Sequence, residues 1–282
     1  MMKVLITGGK GMLGRTLQAC WPDWELIIAD LPEANICDPA GFDHLVAETR
    51  PDAVVHCAAM TQVDRCETEP ELAYKLNAFG TGVVAAACHR HHVRLASIST
   101  DYVFSGDTDR PWHEWDKPAP KTVYGASKFA GEEMVRALCP DHLIVRIAWL
   151  YGIGGPSFVH TMLKLAEAGK SLKVVSDQRG NPTGAYAVAR HLRILLENRE
   201  LAGTFHLTCE GEATWYDLTR EIVRLAGLSV DVAPCTTAEF PRPAPRPADS
   251  RLEKRALRFA GLPPMPDWHD VLAEFMHTEF GR

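Results

Sequence analysis

The stretch Lys3-Val4-Leu5-Ile6-Thr7-Gly8-Gly9-Lys10-Gly11-Met12-Leu13-Gly14 decides the fold. It opens as an apolar run of strand length, which reads as a buried strand. A glycine-rich turn follows, and Leu13, Leu17 and Cys20 then recur at helical spacing. Strand, glycine turn and helix in that order is the context in which a dinucleotide fingerprint has physical meaning. Gly8, Gly11 and Gly14 make the variant with one extra residue in the turn. Glycines there let backbone N–H groups and the helix N-terminus face a pyrophosphate. The plainer alternative is a tight turn that packs a helix and holds no ligand.

Outward from this stretch the strand–helix rhythm continues. Glu25–Ala29 is a second strand ending at Asp30. A carboxylate at that point accepts hydrogen bonds from an adenosine ribose and repels a 2′-phosphate, a slight tilt toward NAD that Lys10 and Arg15 soften. A helix over Pro39–Thr49 starts from Asp38 as N-cap. Ala53-Val-Val-His-Cys57 is the third strand and runs into Ala58-Ala59-Met60-Thr61, where small residues admit a cofactor closely. His56 reads as a satisfied buried imidazole. Val63 to Glu67 begins a polar connection, and a helix spans about Pro70 to His91. Asn77 on it either faces inward to support a lysine through water or lies exposed. His89, His91 and His92 suit a helix C-terminus better than a metal. Val93–Ile98 and Leu143–Ala148 are the fourth and fifth strands. Five strands alternating with helices predict an α/β fold, a Rossmann-type doubly wound parallel sheet, with ligands at the carboxyl ends of its strands.

The chemistry concentrates between Thr100 and Lys128. Ser99-Thr100-Asp101-Tyr102-Val103-Phe104 ends the fourth strand, and Tyr124-Gly-Ala-Ser-Lys128 opens a helix. Tyr and Lys four apart project from one helical face. The Lys128 ammonium is expected to favour the Tyr124 phenolate and ease loss of its proton. A phenol tuned in this way exchanges a proton with a substrate oxygen, and Thr100 holds that oxygen in place. The intervening loop is polar and rich in Pro and Trp, so His113, Glu114 and Asp116 read as solvated loop residues.

From Ser171 the rhythm changes, which suggests a dinucleotide-binding domain over 1–170 and a small C-terminal substrate-binding lobe, mainly 171–282, packed on it. Within that part, Leu172–Val175 and Thr204–Thr208 read as strands, with helices over Tyr186–Asn198 and Trp215–Ala226. Pro234 to Pro247 is too rich in Pro for regular structure and reads as a lid, its Arg242 and Arg246 either clamping phosphates or serving solubility. The chain has 282 residues and a formal net charge of −6, which argues against general nucleic-acid binding. Its eight cysteines include no Cys-x-x-Cys pair, so there is no zinc signature, and reduced thiols point to the cytoplasm. The N-terminus enters a strand at once, too short for a signal peptide, and no apolar run reaches membrane-spanning length.

Taken with Arg146-Ile-Ala-Trp149-Leu-Tyr151, Asp177-Gln-Arg-Gly-Asn-Pro-Thr183 and Arg246-Pro-x-x-Ser250-x-Leu252, these motifs resemble the extended short-chain dehydrogenase/reductase superfamily. Within it they are similar to the dTDP-4-dehydrorhamnose reductases along nearly the whole chain. The resemblance implies reduction of a nucleotide-sugar C4 ketone by NADPH or NADH, with Thr100, Tyr124 and Lys128 catalytic. It implies Gly8, Gly11, Met12, Leu13 and Gly14 under the pyrophosphate, and Asp30 near the adenosine ribose. Asn35 and Ile36 fall near the adenine, where relatives often carry Asp in place of Asn35. Ala59, Met60 and Thr61 fall beside the nicotinamide half, along with Tyr124 and Lys128. Thr61, Val63, Thr100, Asp101 and Trp149 are implied to touch the sugar, and Asn181, Pro182 and Thr183 to lie toward the nucleotide. Some relatives dimerise through magnesium held by a Glu just after the glycine turn. Here that place reads Arg15-Thr16, with no carboxylate, so no metal site carries over, and a homodimer remains expected.

Overall fold

Residues 1–282 are described by a computed structural model. Six parallel strands form one sheet in the order Gly203–His206, His142–Ile147, Arg94–Thr100, Ala53–His56, Lys3–Thr7, Glu25–Ala29. Alternate side chains of each strand go to opposite faces, and both faces are covered. Val4, Ile6, Val55, Ala96 and Val145 join a cluster of 37 buried residues under the helices Met12–Cys20, Phe158–Glu167, Ala185–Glu197 and Trp268–Phe280. Leu5, Val54, Leu95 and Ile144 join a second cluster of 16 under Pro39–Thr49, Thr81–Arg90 and Val123–Leu138. No helix is long and apolar enough to cross a membrane.

The sixth strand is the main departure from the sequence reading. Gly203–His206 pairs in parallel with His142–Ile147, through Thr204 opposite Ile144 and Phe205 opposite Val145. It therefore extends the large sheet and is not part of the lobe. Ala185–Glu197 likewise belongs to the sheet's cover, where Trp21 Nε1 donates to the carbonyl of Ala189. What remains of the lobe is stitched by short ladders, such as Leu172–Val175 beside Val232–Cys235. Pro234 lies inside that second strand, where a two-stranded edge tolerates its missing N–H, so this part of the proline-rich segment is regular.

Several local readings also change. Val63–Thr68 is a helix and not a polar connection. The long helix after it contains a wider π-type turn over Lys75–Gly80. That turn points Asn77 fully inward. Its Oδ1 accepts from Met60 N at 2.8 Å, and its Nδ2 donates to Met60 O and to Ser127 Oγ at 3.1 and 3.0 Å. It thus pins the end of the third strand to the helix Val123–Leu138: of the two alternatives read from sequence, the inward-facing one holds and the exposed one does not. Glu114 is buried, and its carboxylate accepts from Ala256 N at 3.1 Å and His206 N at 3.4 Å. Asp116 pairs with Arg110 at 2.7 Å. Arg246 forks onto Asp64, at 2.9 and 2.8 Å, instead of standing free for a phosphate.

One buried ionic cluster ties the sheet to the helix Val123–Leu138. Glu132 accepts from Arg146 Nε and Nη2 at 2.8 and 2.7 Å and from Ser99 Oγ at 2.6 Å. Burial alone would raise its carboxyl. The bonds from Arg146 and Ser99, with Arg136 nearby, outweigh burial and hold it below the usual range. Because the folded pKa is depressed, this contribution is full above the ordinary glutamate pKa and fades as pH falls. Arg146→Met strands the carboxylate and is expected to cost roughly 3–5 kcal/mol, read from urea unfolding. A variant as stable as the parent protein would contradict the cluster's role.

Candidate active site

A cavity of about 1070 Å³ opens at the carboxyl ends of the strands. At one end lies the glycine turn. Gly8 has φ +66°, and a Cβ on it would stand 2.7 Å from Ala58 N. A Cβ on Gly14 would meet Gly9 Cα at 2.5 Å, so the helix packs directly on the turn. That helix starts at Met12 with Gly11 as N-cap and no side-chain cap. Its first N–H groups are left for an anion, with the positive end of the helix dipole behind them. Asp30 stands at the next strand end, where its carboxylate accepts from Lys10 N at 2.9 Å and Leu31 N at 3.0 Å. Asn35 and Ile36 line the same end, with Asn35 Oδ1 held by Cys37 N at 2.9 Å. A bare cradle for a diphosphate, flanked by a carboxylate and a half-apolar slot, has the donor set that a dinucleotide requires.

Thr100, Tyr124 and Lys128 all line this cavity. Thr100 ends its strand and donates to Asp101 Oδ1 at 2.9 Å. Tyr124 sits in the first turn of its helix, which Thr122 caps by accepting from Gly125 N at 3.0 Å. A side chain on Gly125 would collide with the carbonyl of Tyr102, so only glycine lets the helix start come this close to the strand end. Lys128 is buried and donates to the carbonyl of Ile98 at 2.7 Å.

The electrostatics depart from expectation. The Tyr124 phenol is raised, not lowered: burial dominates, and the hydrogen bond with Thr100 offsets only part of it. Lys128 is pulled down to about 8 by burial, against the opposing field of Glu132. Asp101 is pushed up to about 6 by burial, against the nearby hydroxyls of Ser250 and Thr100, and its Oδ2 has no hydrogen-bond partner. All three shifts favour the neutral form, as a poorly solvated pocket dictates. His56 lies behind this group, between Thr7 Oγ1 at 2.7 Å and Thr81 Oγ1 at 3.1 Å. Its ring is held near a pKa of about 3 by burial and by Lys128, the satisfied neutral histidine read from sequence.

The cavity also takes in Gly11, Met12, Leu13, Ala59, Thr61, Val63 and Trp149. Four residues implied for it lie elsewhere. Met60 packs with Cys66 and Ala73 in a small apolar cluster. Asn181, Pro182 and Thr183 are buried outside the cavity wall. Asn181 bridges Gly211 O at 2.6 Å and Leu252 N at 2.7 Å, and the Thr183 hydroxyl donates to Asn181 O at 2.9 Å. Their polar atoms serve as latches within the lobe. Conversely, Tyr102, Phe158 and Trp215 line the cavity without having been singled out. Tyr102 was within the quoted motif, but nothing local marks Trp215. No group of three or more metal-ligating side chains is placed to hold an ion.

The family model described as RmlD substrate binding domain matches residues 2–280. The dTDP-4-dehydrorhamnose reductase of Escherichia coli (strain K12) is 40% identical, over 99% of this chain and 98% of that protein. The spore coat polysaccharide biosynthesis protein SpsK of Bacillus subtilis (strain 168) is also 40% identical, over 98% of this chain and 97% of its own. A crystal structure of dTDP-4-dehydrorhamnose reductase from Bacillus anthracis, in complex with NADP, superposes with a TM-score of 0.95 at 38% identity, covering 98% of this chain and 99% of that one.

The Lys128 shift has a measurable consequence. Between about 8 and the ordinary lysine value the unfolded chain binds more protons than the folded one. Stability should therefore rise with pH across that window, by on the order of 3 kcal/mol. Urea midpoints at pH 7 and pH 10 should diverge in the parent protein, and Lys128→Met should flatten the difference. Equal pH dependence in both would contradict the buried ammonium.

Proposed function

The chain belongs to the RmlD substrate binding domain family, and from that premise we propose that it reduces dTDP-4-dehydro-L-rhamnose at C4 to dTDP-L-rhamnose, using NADPH or NADH. The observation that carries this reading is a protonated phenol beside a strand-end hydroxyl, over the same cavity as an uncapped glycine turn.

The dinucleotide, when bound, supplies a hydride to the ketone carbon. The chain's residues do the rest. Backbone N–H groups at Met12 and Leu13 hold the pyrophosphate, while Gly11 N–H closes the turn onto Gly8 O at 3.0 Å and Gly8 and Gly14 keep it tight. Asp30, Asn35 and Ile36 frame the adenosine, while Ala59 and Thr61 leave room for the nicotinamide half. Lys128 turns from the Ile98 carbonyl to the nicotinamide ribose hydroxyls. Val63, Asp101 and Trp149 seat the sugar, and Thr100 swings its hydroxyl from Asp101 onto the ketone oxygen. Tyr124 gives its proton to that oxygen. Because burial raises the phenol, Tyr124 is protonated at neutral pH, the state a reduction needs. As negative charge grows on the ketone oxygen, it meets donors already in place, usually the largest source of rate.

The assay is loss of NADPH absorbance with a panel of 4-keto nucleotide sugars. Turnover should require added reductant, and Tyr124→Phe should lower it by roughly 10²-fold or more. Near-normal turnover in Tyr124→Phe would refute the role. Product formed without reductant would point to an epimerase instead. We place the enzyme in the cytoplasm, in keeping with eight free thiols. We take its partner to be a second copy, in keeping with the exposed apolar side chains Phe79, Met134 and Leu138. Sedimentation giving only a 31.2 kDa species would contradict the dimer.

A further inference from the structure

We propose that Trp215 is a positioning residue for the sugar end of the cavity: it holds Trp149 as a flat, rigid wall against which the C–H face of the substrate's pyranose ring packs. The inference rests on the reading that this end of the cavity takes the sugar.

Trp149 is the unusual residue. Its backbone sits at φ 47°, in the left-handed region that a bulky side chain seldom adopts. Such a conformation persists only where the surroundings over-determine it, and it recurs at functional sites. Here the surroundings are specific. The Trp149 indole lies parallel to that of Trp215, with ring centroids 3.5 Å apart and planes 6° apart. Gly180 lies against its Cε2 and Nε1 atoms, where any side chain would run into the indole. The stacked partner and the bare backbone at Gly180 together fix the indole.

Trp215 is itself fixed. It opens the helix Trp215–Leu225, whose start is locked by a reciprocal capping pair between Thr214 and Asp217. Its Nε1 donates to Gln178 Oε1 at 3.0 Å, and Gln178 Nε2 donates to Thr237 Oγ1 at 2.9 Å. Phe158 leans on its ring at 4.5 Å. Because its N–H is taken by Gln178, Trp215 adds π surface and no free donor to the cavity. An aromatic plane of this kind suits the apolar face of a sugar ring. The clamp also joins the lobe, through Trp215, Gln178 and Thr237, to the sheet end that carries Trp149. Sugar-binding geometry thereby depends on the lobe.

The test compares the parent protein with Trp215→Ala, Trp215→Phe and Gln178→Ala. Affinity for dTDP-L-rhamnose and for NADPH is measured separately by calorimetry, alongside near-ultraviolet circular dichroism. The parent protein should show the exciton couplet of two stacked indoles. Trp215→Ala should remove this pair's contribution, leaving that of Trp21 and Trp24, and weaken nucleotide-sugar binding roughly tenfold, the weight of one aromatic contact. NADPH binding should stay within about twofold. Trp215→Phe, which keeps a flat ring, should recover most of the affinity. Gln178→Ala should weaken sugar binding by a smaller factor in the same direction, and it decides the matter if Trp215→Ala does not fold. Unchanged sugar affinity in the folded variants, equal loss of both ligands, or an indole signal that Trp215→Ala leaves unchanged would each overturn the proposal. A parent protein that binds dTDP-L-rhamnose but reduces no 4-keto sugar defeats the functional reading and leaves this one standing.

Discussion

A carboxylate without water must be met by charge and hydrogen bonds, and Glu132 is met on two sides. Arg146 grips it from one strand and Ser99 from the next. Ser99 is the residue before Thr100. Glu132 lies one turn beyond Lys128 and two beyond Tyr124 on the same helix. This cluster therefore fixes the register between a strand end and a helix face. A slip by a single residue would strand the carboxylate and part the hydroxyl from the phenol. Gly131 serves the same end, since a side chain there would strike the carbonyl of Asn77.

The same dryness that makes the cluster necessary tunes the pocket beside it. Tyr124 and Asp101 are driven toward their protonated forms, and Lys128 toward its neutral one. Lys128 keeps part of its charge because Glu132 is near. Its only hydrogen bond goes to a backbone carbonyl, so it is free to re-aim. The site is thus set for donating a proton, with a cation in reserve. Its opposite end is an uncapped helix start that awaits negative charge.

What the sequence made legible was local. The glycine turn, the first five strands and the Tyr-to-Lys spacing are each written within a few residues, as periodicity or as a turn constraint. The sign of the Tyr124 shift was not legible, because it comes from enclosure by segments far away in the chain. Glu114 and Arg246 are satisfied by Ala256 and Asp64, which lie far away in the chain, so their roles are not legible locally. Asn181 and Thr183 were assigned by resemblance to a ligand but are consumed inside the lobe. The strand Gly203–His206 is short and carries Thr and His, so nothing in its pattern says which sheet it joins. Trp215 could be found only once the fold had laid it on Trp149.

The central claim is that one cavity holds reductant and ketone together, so that hydride passes directly between them. Reductant carrying deuterium on the transferred face of its nicotinamide should give product with one deuterium at the sugar's C4, read by mass spectrometry. Product reduced at C4 but free of deuterium would contradict the account.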